Sequence, residues 1–540
     1  MKAGVLALRL GRWGILGFGV ISFVSTLVQA LGFYAVAGHS AADRAVFGRS
    51  MTILATNFTV LLPPPIRPDT VGGYVQFRAY GGLAILFAVW AMVSGAAGSR
   101  GDEERRIVEA ALAAGVTRGG LVASRMVAFA MGALAASAAA GAGVVIGVLV
   151  GGETIPLRSL LEATVVLAAL GVCCFGLSLL IAQLTAARLA PAAAGIVLLA
   201  LFLTNSLSRT FPWLSTARWV SPFRYYELSQ PLAPGGPFDA RATLVLVAVA
   251  LVSGIAAAGA FASRDVGSPL FKQQARSTTP DHGSSGAPWW RLPVVRGLYE
   301  HRLGLATWTV GTTALAVVFV LITKSTVEPL LAVPQLGRFL TSLLHGAIVS
   351  SFLGVFWFST AELLLAAFAI AQVARWSADD SEGRLELVLA APISRAGVVL
   401  ERAAVLTVGA VLIAAVTAVA VGYTAQAQAI DLDRARLVQA SLLLVPFTLV
   451  FAGAGSLLAA WIPRAAVGLL GGIAFATYLD TEVASLFRWP DWVQDLSPFK
   501  LFGDPMTNGV DAKSLALMLL IAIVGFGSSI LAIQRRDVGA

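Results

Sequence analysis

Apolar runs long enough to cross a bilayer recur about a dozen times along this chain. In the first half they are Trp13–Ala37, Ala79–Ala97, Met126–Val150, Leu160–Leu184, Leu189–Leu207 and Ala242–Phe261. In the second half they are Leu305–Leu321, Ile348–Ala374, Ala403–Tyr423, Val438–Ala460, Ala466–Tyr478 and Ser514–Ile533. A hydrocarbon core about 30 Å thick needs about 20 apolar residues per helix. Ala466–Tyr478 is short and spans only if it is extended at one end. Composition points the same way: 57% of the 540 residues are hydrophobic and 12% are charged, against about 25% charged in a soluble domain. A soluble fold could not bury that much apolar surface. The predicted fold is therefore all-α and integral to the membrane, with about 12 transmembrane helices.

Charge sets the expected orientation. The formal net charge is +9. With the N-terminus inside, Lys and Arg are denser in the cytoplasmic segments, as the positive-inside bias requires. The basic excess therefore predicts a multi-pass protein of the plasma membrane with both termini cytoplasmic, in contact with lipid and not with nucleic acid. Lys2, Arg9 and Arg12 precede the first run. That run exceeds the roughly 7–15 residues of a signal-peptide core, so it reads as a retained helix. Cys173 and Cys174 are adjacent within an apolar run and read as packing residues. His39, His282, His301 and His345 are scattered without ligand spacing, so no metal site is expected. No catalytic Ser/His/Asp order, paired-carboxylate spacing or zinc spacing is present, so the chain does not read as an enzyme.

An internal repeat runs through the chain. Leu112-Ala-Ala-Gly-Val-Thr-Arg118 matches Leu389-Ala-Ala-Pro-Ile-Ser-Arg395, 277 residues later. The same offset pairs Asp102 with Asp379, Glu103 with Asp380, Glu109 with Glu386 and Arg125 with Arg402. Ser221-Pro222-Phe223 matches Ser497-Pro498-Phe499, and Arg264-Asp-Val-Gly267 matches Arg536-Asp-Val-Gly539. Six helices per half is an even number, so both halves start on the same side, as two parallel six-helix repeats. The predicted organisation is a first transmembrane half over 1–261, a cytoplasmic linker over 262–303 and a second half over 304–540. The linker's centre, 277–288, is polar and rich in Ser, Gly and Pro.

The polar segment after the second helix of each half is the first functional candidate. In the second half Leu385, Val388 and Leu389 fall at i, i+3, i+4, one face of a helix. Asp379, Asp380 and Glu382 lie near its start, where a helix dipole favours acids. Pro392 ends it, and Ser394, like Thr117 in the first half, is placed to cap the next helix. Each half thus carries a short amphipathic helix at its cytoplasmic mouth, suited to docking. The candidate docking residues are Asp379, Asp380, Glu382, Leu385, Glu386, Val388 and Leu389, with Asp102, Glu103, Glu109 and Leu112 in the first half.

Residues 383–395, Gly-Arg-Leu-Glu-Leu-Val-Leu-Ala-Ala-Pro-Ile-Ser-Arg, resemble the coupling-helix region of ABC transporter permeases of the antibiotic-export type. The paired Ser-Pro-Phe and Arg-Asp-Val-Gly motifs resemble that family too. The whole chain is similar to fused, twelve-helix permeases of the tetronasin-resistance kind. The first half departs from the pattern, with Arg106 for the Gly, Ile107 for the Arg and Gly115 for the Pro. The resemblance implies outward movement of a small amphiphilic or antibiotic-like substrate between the two halves. It also implies a cytosolic ABC ATPase partner in two copies. The chain lacks the G-x-x-x-x-G-K-[ST] loop that cradles nucleotide phosphates, so it binds no cofactor itself, and ATP and Mg belong on the partner. A permease for lipid or polysaccharide, or an ion-gradient-driven carrier, are the alternative readings.

Two further candidates lie elsewhere. Trp213, Trp219 and Phe223 in the first half, and Trp489, Trp492 and Phe499 in the second, lie in the outer loop before each last helix. Trp among polar residues suits a membrane interface, and the resemblance implies a lid there. Glu362 stands in the middle of an apolar run, where a carboxylate costs roughly 2.5–3.5 kcal/mol on insertion scales. It is a candidate contact in the substrate pathway, or the proton carrier of the ion-driven alternative. Its counterpart is Ile85.

Overall fold

A computed structural model of the chain describes residues 2–38, 40–57, 63–209, 211–270, 292–331, 348–381, 383–390, 393–487, 490 and 494–535. Glu382, Pro392, Trp489, Trp492, His39, His282, His345 and the Arg536–Gly539 motif lie outside them. The described residues are helical or irregular, with no strand. Eleven of the helices are long and apolar enough to cross a membrane. They are α1 (Gly4–Ala37), α2 (Val71–Glu104), α3 (Arg118–Val150), α4 (Leu157–Leu184), α5 (Ala190–Leu207), α6 (Ala240–Ser263), α7 (Pro293–Leu321), α8 (Val349–Asp380), α9 (Arg395–Ala427), α10 (Arg434–Trp461) and α12 (Ala512–Arg535). The twelfth expected span is α11 (Pro463–Phe487), whose apolar part, Ala465–Thr481, is the short one. The protein is thus an all-α, multi-pass membrane protein.

The chain divides into two compact units, Met1–Thr279 and Pro280–Ala540. Within the first, α1 packs on α3, α4 on α6, and α2 and α3 on α4. Within the second, α7 packs on α9, α10 on α12, and α8 and α9 on α10. The most buried spans are α4 and α10, one at the centre of each unit.

These helices pack as lipid requires. Lipid tails are as apolar as Leu, so helix association relies on small residues and interhelical hydrogen bonds. Where α10 crosses α12, a β-carbon on Gly525 would come within 2.6 Å of the Gly453 backbone, and Ser456 Oγ lies 2.8 Å from Ser529 Oγ. Where α1 meets α3, Thr26 Oγ1 donates to the Ala140 carbonyl at 2.8 Å. The outward faces stay apolar: Leu244, Leu251, Val252 and Ile255 of α6 are exposed. Such a surface needs lipid to cover it.

Candidate functional sites

The α2–α3 connection begins with a π turn, Ala97–Gly101, followed by Asp102–Glu104. Arg106 then adopts a left-handed conformation (φ 58°), and a short helix, Ile107–Ala113, follows. Thr117 Oγ1 accepts from Gly120 N at 3.1 Å and caps α3. This connection is tied down by a buried ionic cluster. Arg100, 2% exposed, donates to Glu103 Oε2 (2.9 Å) and to the carbonyls of Ala182 and Thr185 (both 2.7 Å). Arg264, from the Arg-Asp-Val-Gly motif, grips both oxygens of Glu103 and also bonds Gln183 Oε1. The Gly267 amide donates to Glu103 Oε2 at 3.1 Å. Gln183 in turn donates to Ser99 Oγ at 2.6 Å. Asp102 pairs with Arg125 at 2.8 Å.

Buried charges are tolerated when paired and fully hydrogen-bonded, and this cluster meets that condition. It also reassigns two expected docking residues. Asp102 and Glu103 lie inside the unit, engaged by Arg125, Arg100 and Arg264, and present no charge to a partner. Val108 is buried, Leu112 is half-buried and Glu109 faces solvent.

The α8–α9 connection repeats the backbone, and the described residues beneath it differ from those of the first unit. Gly383, 277 residues after Arg106, is left-handed (φ 72°) and starts the short helix Arg384–Leu389. Ser394 Oγ accepts from Gly397 N at 3.0 Å and caps α9. Arg395 donates to the Ile533 carbonyl at 2.8 Å, as Arg118 does to that of Phe261. At the positions of Arg100 and Gln183 stand Ser377 and Ala460. Ser377 is buried, and its hydroxyl has no partner among the described residues. Asp379 pairs loosely with Arg402 (3.6 Å) and with Arg384 (3.2 Å), its side chain 41% exposed against 11% for Asp102. Asp380 is partly buried and Glu386 exposed.

The apolar face of that short helix turns inward. Leu385, expected as a docking anchor, is buried in its own unit, and Leu389 is half-buried. Leu387, 76% exposed, and Val388 point away from the unit instead. The first-half counterparts of these two are Ala110 and Ala111.

In the outer-loop candidates, Trp213 and Trp219 are exposed while Phe223 is buried. Arg224 lies 4.9 Å from the Trp219 ring. Ser221 caps the helix Pro222–Glu227. In the second unit Phe499 is buried against Phe447, Phe451 and Tyr478. Each Ser-Pro-Phe motif thus starts a short helix whose Phe anchors it to the bundle. Glu362 is buried within α8, at a small cavity.

Comparison with known families bears directly on this arrangement. The model for the C-terminal domain of the multidrug efflux system permease Rv1217c matches residues 70–264 and 296–532. The chain belongs to this family. No curated protein matches it. The match takes in nearly all of the apolar spans after α1, both connections and Glu362 of this efflux permease. Membership makes the chain a membrane permease of an efflux system. The residues that sequence reasoning missed are Arg100, Arg264 and Leu387. For Arg264 a signal existed, since its motif recurs near the C-terminus.

Proposed function

We propose that this efflux permease is the membrane subunit of an ATP-driven exporter of amphiphilic, antibiotic-like substrates. The ATPase is a separate cytosolic chain, two copies of which dock on the α2–α3 and α8–α9 connections. In this reading both termini and the 262–303 linker face the cytoplasm, the host membrane is the plasma membrane, and the two halves are parallel six-helix repeats. The observation that carries it is the pair Leu387 and Val388, held outward on a short helix whose other apolar face is already packed. An exposed Leu on a charged loop helix fits an apolar groove on a partner, and the chain's lack of a phosphate-binding loop requires the nucleotide site to lie elsewhere. Glu386 and Arg384 flank the plug and set registration, since rim charges add little affinity.

The test is co-purification of an ABC ATPase from the native host, together with drug efflux. Leu387→Ala with Val388→Ala should abolish co-purification, or leave ATP hydrolysis uncoupled from efflux, while the permease accumulates normally. Unaltered ATPase binding and efflux would remove the docking assignment. Efflux that survives ATP depletion but stops with a protonophore would favour a gradient-driven carrier.

A further inference from the structure

The two units hold cavities at corresponding places, and their charges differ. In the first unit the cavity is lined by Gly81, Ala84 and Ile85 of α2, with Phe223, Tyr226 and Glu227 of the outer-loop helix. Its one carboxylate is neutralised: Glu227 pairs with Arg209 and accepts from Asn205 Nδ2 at 2.8 Å. Tyr226 donates to the Tyr80 carbonyl at 3.0 Å, and burial pushes its phenol above the ordinary value, so it adds no charge.

In the second unit the cavity, about 10 Å³ and so sized for a group no larger than one water, is lined by Phe358, Ser359 and Glu362 of α8, with Asp504, Met506 and Thr507 of the outer loop. Glu362 takes the place of Ile85, and Asp504 falls one position from the counterpart of Glu227. The loop is pressed against the helix: a β-carbon on Gly354 would come within 2.7 Å of Met506 Cβ. Glu362 is 6% exposed and lies about 20 Å along α8 from Val349 at the helical rise per residue. Among the described residues it has no hydrogen-bond or ion-pair partner, and Asp504 is the charge that acts on it. Asp504 makes no side-chain cap to the turn it begins. Thr507 Oγ1 is buried and has no partner among the described residues.

The cations nearby are otherwise engaged. Arg436 donates to the Met506 and Thr507 carbonyls at 3.0 and 2.6 Å, and Lys500 pairs with Asp495 at 2.9 Å. Of the other charged groups on elements packed against α8, Asp480 of α11 is a further acid. A buried carboxylate without a partner is expensive in a membrane and marks a binding function.

The geometry points to a cation site in the second unit, in which Glu362 and Asp504 together receive the ammonium head of a basic amphiphile while Ser359 and Thr507 supply hydroxyl oxygens. The water-sized volume admits a primary ammonium group and nothing larger, with the apolar remainder of the molecule lying outside beside Val355. The first-unit cavity, with Ile85 and a neutralised Glu227, receives no cation. This inference deepens the export reading by naming a substrate class, and it can fail independently of that reading because binding needs neither ATP nor the ATPase.

The full chain in lipid nanodiscs is titrated with benzylammonium and with its uncharged isostere ethylbenzene, and proton release is recorded in weakly buffered solution. Wild type should bind the ammonium compound. Glu362→Gln and Asp504→Asn should each weaken that binding by roughly tenfold or more, as loss of one close charge at reduced dielectric requires, and leave the neutral compound unaffected. Proton release on binding identifies an organic cation displacing a resident proton; binding without release identifies an ionised pair; both support the site. Absence of ammonium binding by wild type overturns it, as does equal binding by wild type and both variants, or parallel loss of the charged and neutral probes. If Glu362→Gln fails to accumulate, Asp504→Asn, on an exposed loop position, decides the matter alone.

Discussion

The connections α2–α3 and α8–α9 share a left-handed residue, a short helix, a hydroxyl cap and an arginine tied to the last helix of their unit. They differ in what lies beneath. Residues 100–104 are bolted to α4 through Arg100 and to the 264–267 motif through Glu103, whereas Ser377 stands at the position of Arg100 and Ala460 at that of Gln183. The difference teaches that one backbone template can be laid over different undersides: a buried ion cluster in the first unit and, among the described residues, the more exposed acid Asp379 in the second. The exposed apolar pair Leu387 and Val388 belongs to the second connection, and the first shows alanines there.

The comparison breaks most sharply at Glu103. Glu103→Gln leaves two buried guanidiniums short of a counter-charge and should destabilise the first unit by about 3–5 kcal/mol. Thermal denaturation of the purified permease would read this as an early transition, together with reduced accumulation. Asp379→Asn, at a half-exposed acid whose nearer partner, Arg384, is 55% exposed and whose contact with Arg402 is loose, should cost no more than about 1 kcal/mol. Equal losses would mean that the two connections are held alike.

A smaller effect is expected at the left-handed residues. Gly383→Ala meets open space, so its cost is backbone strain alone, about 1–2 kcal/mol. Arg106→Gly relieves the same strain and should be neutral or stabilising by up to about 1 kcal/mol. Melting temperatures of the two variants measure both signs, and a destabilised Arg106→Gly would show that the arginine side chain, not the backbone, holds that turn.

Much of the fold was legible because lipid makes it so. Apolar runs located the helices, and the caps at Thr117 and Ser394 followed from residue type and position. The short α11 was visible as a short run. What could not be read was the direction in which local patterns face. The i, i+3, i+4 stripe of Leu385, Val388 and Leu389 is split in the structure: Leu385 packs on its own unit and Leu389 is half-buried, whereas Val388 is exposed beside Leu387. The acids Asp102 and Glu103 looked solvated at a helix start. Their partners Arg125 and Arg264 lie 23 and 161 residues away, beyond any local rule. Glu362 stood out as a carboxylate in an apolar run, yet its neighbour Asp504 was hidden in an unremarkable polar loop, and no spacing rule joins the two.

Amide hydrogen exchange on the full-length permease in nanodiscs tests the central asymmetry directly, since local opening sets the exchange rate of such segments. The amides of 103–113 should exchange markedly more slowly than those of 384–390, and Glu103→Gln should bring the first segment up to the rate of the second. Equal protection of the two segments in the unaltered protein would contradict the account.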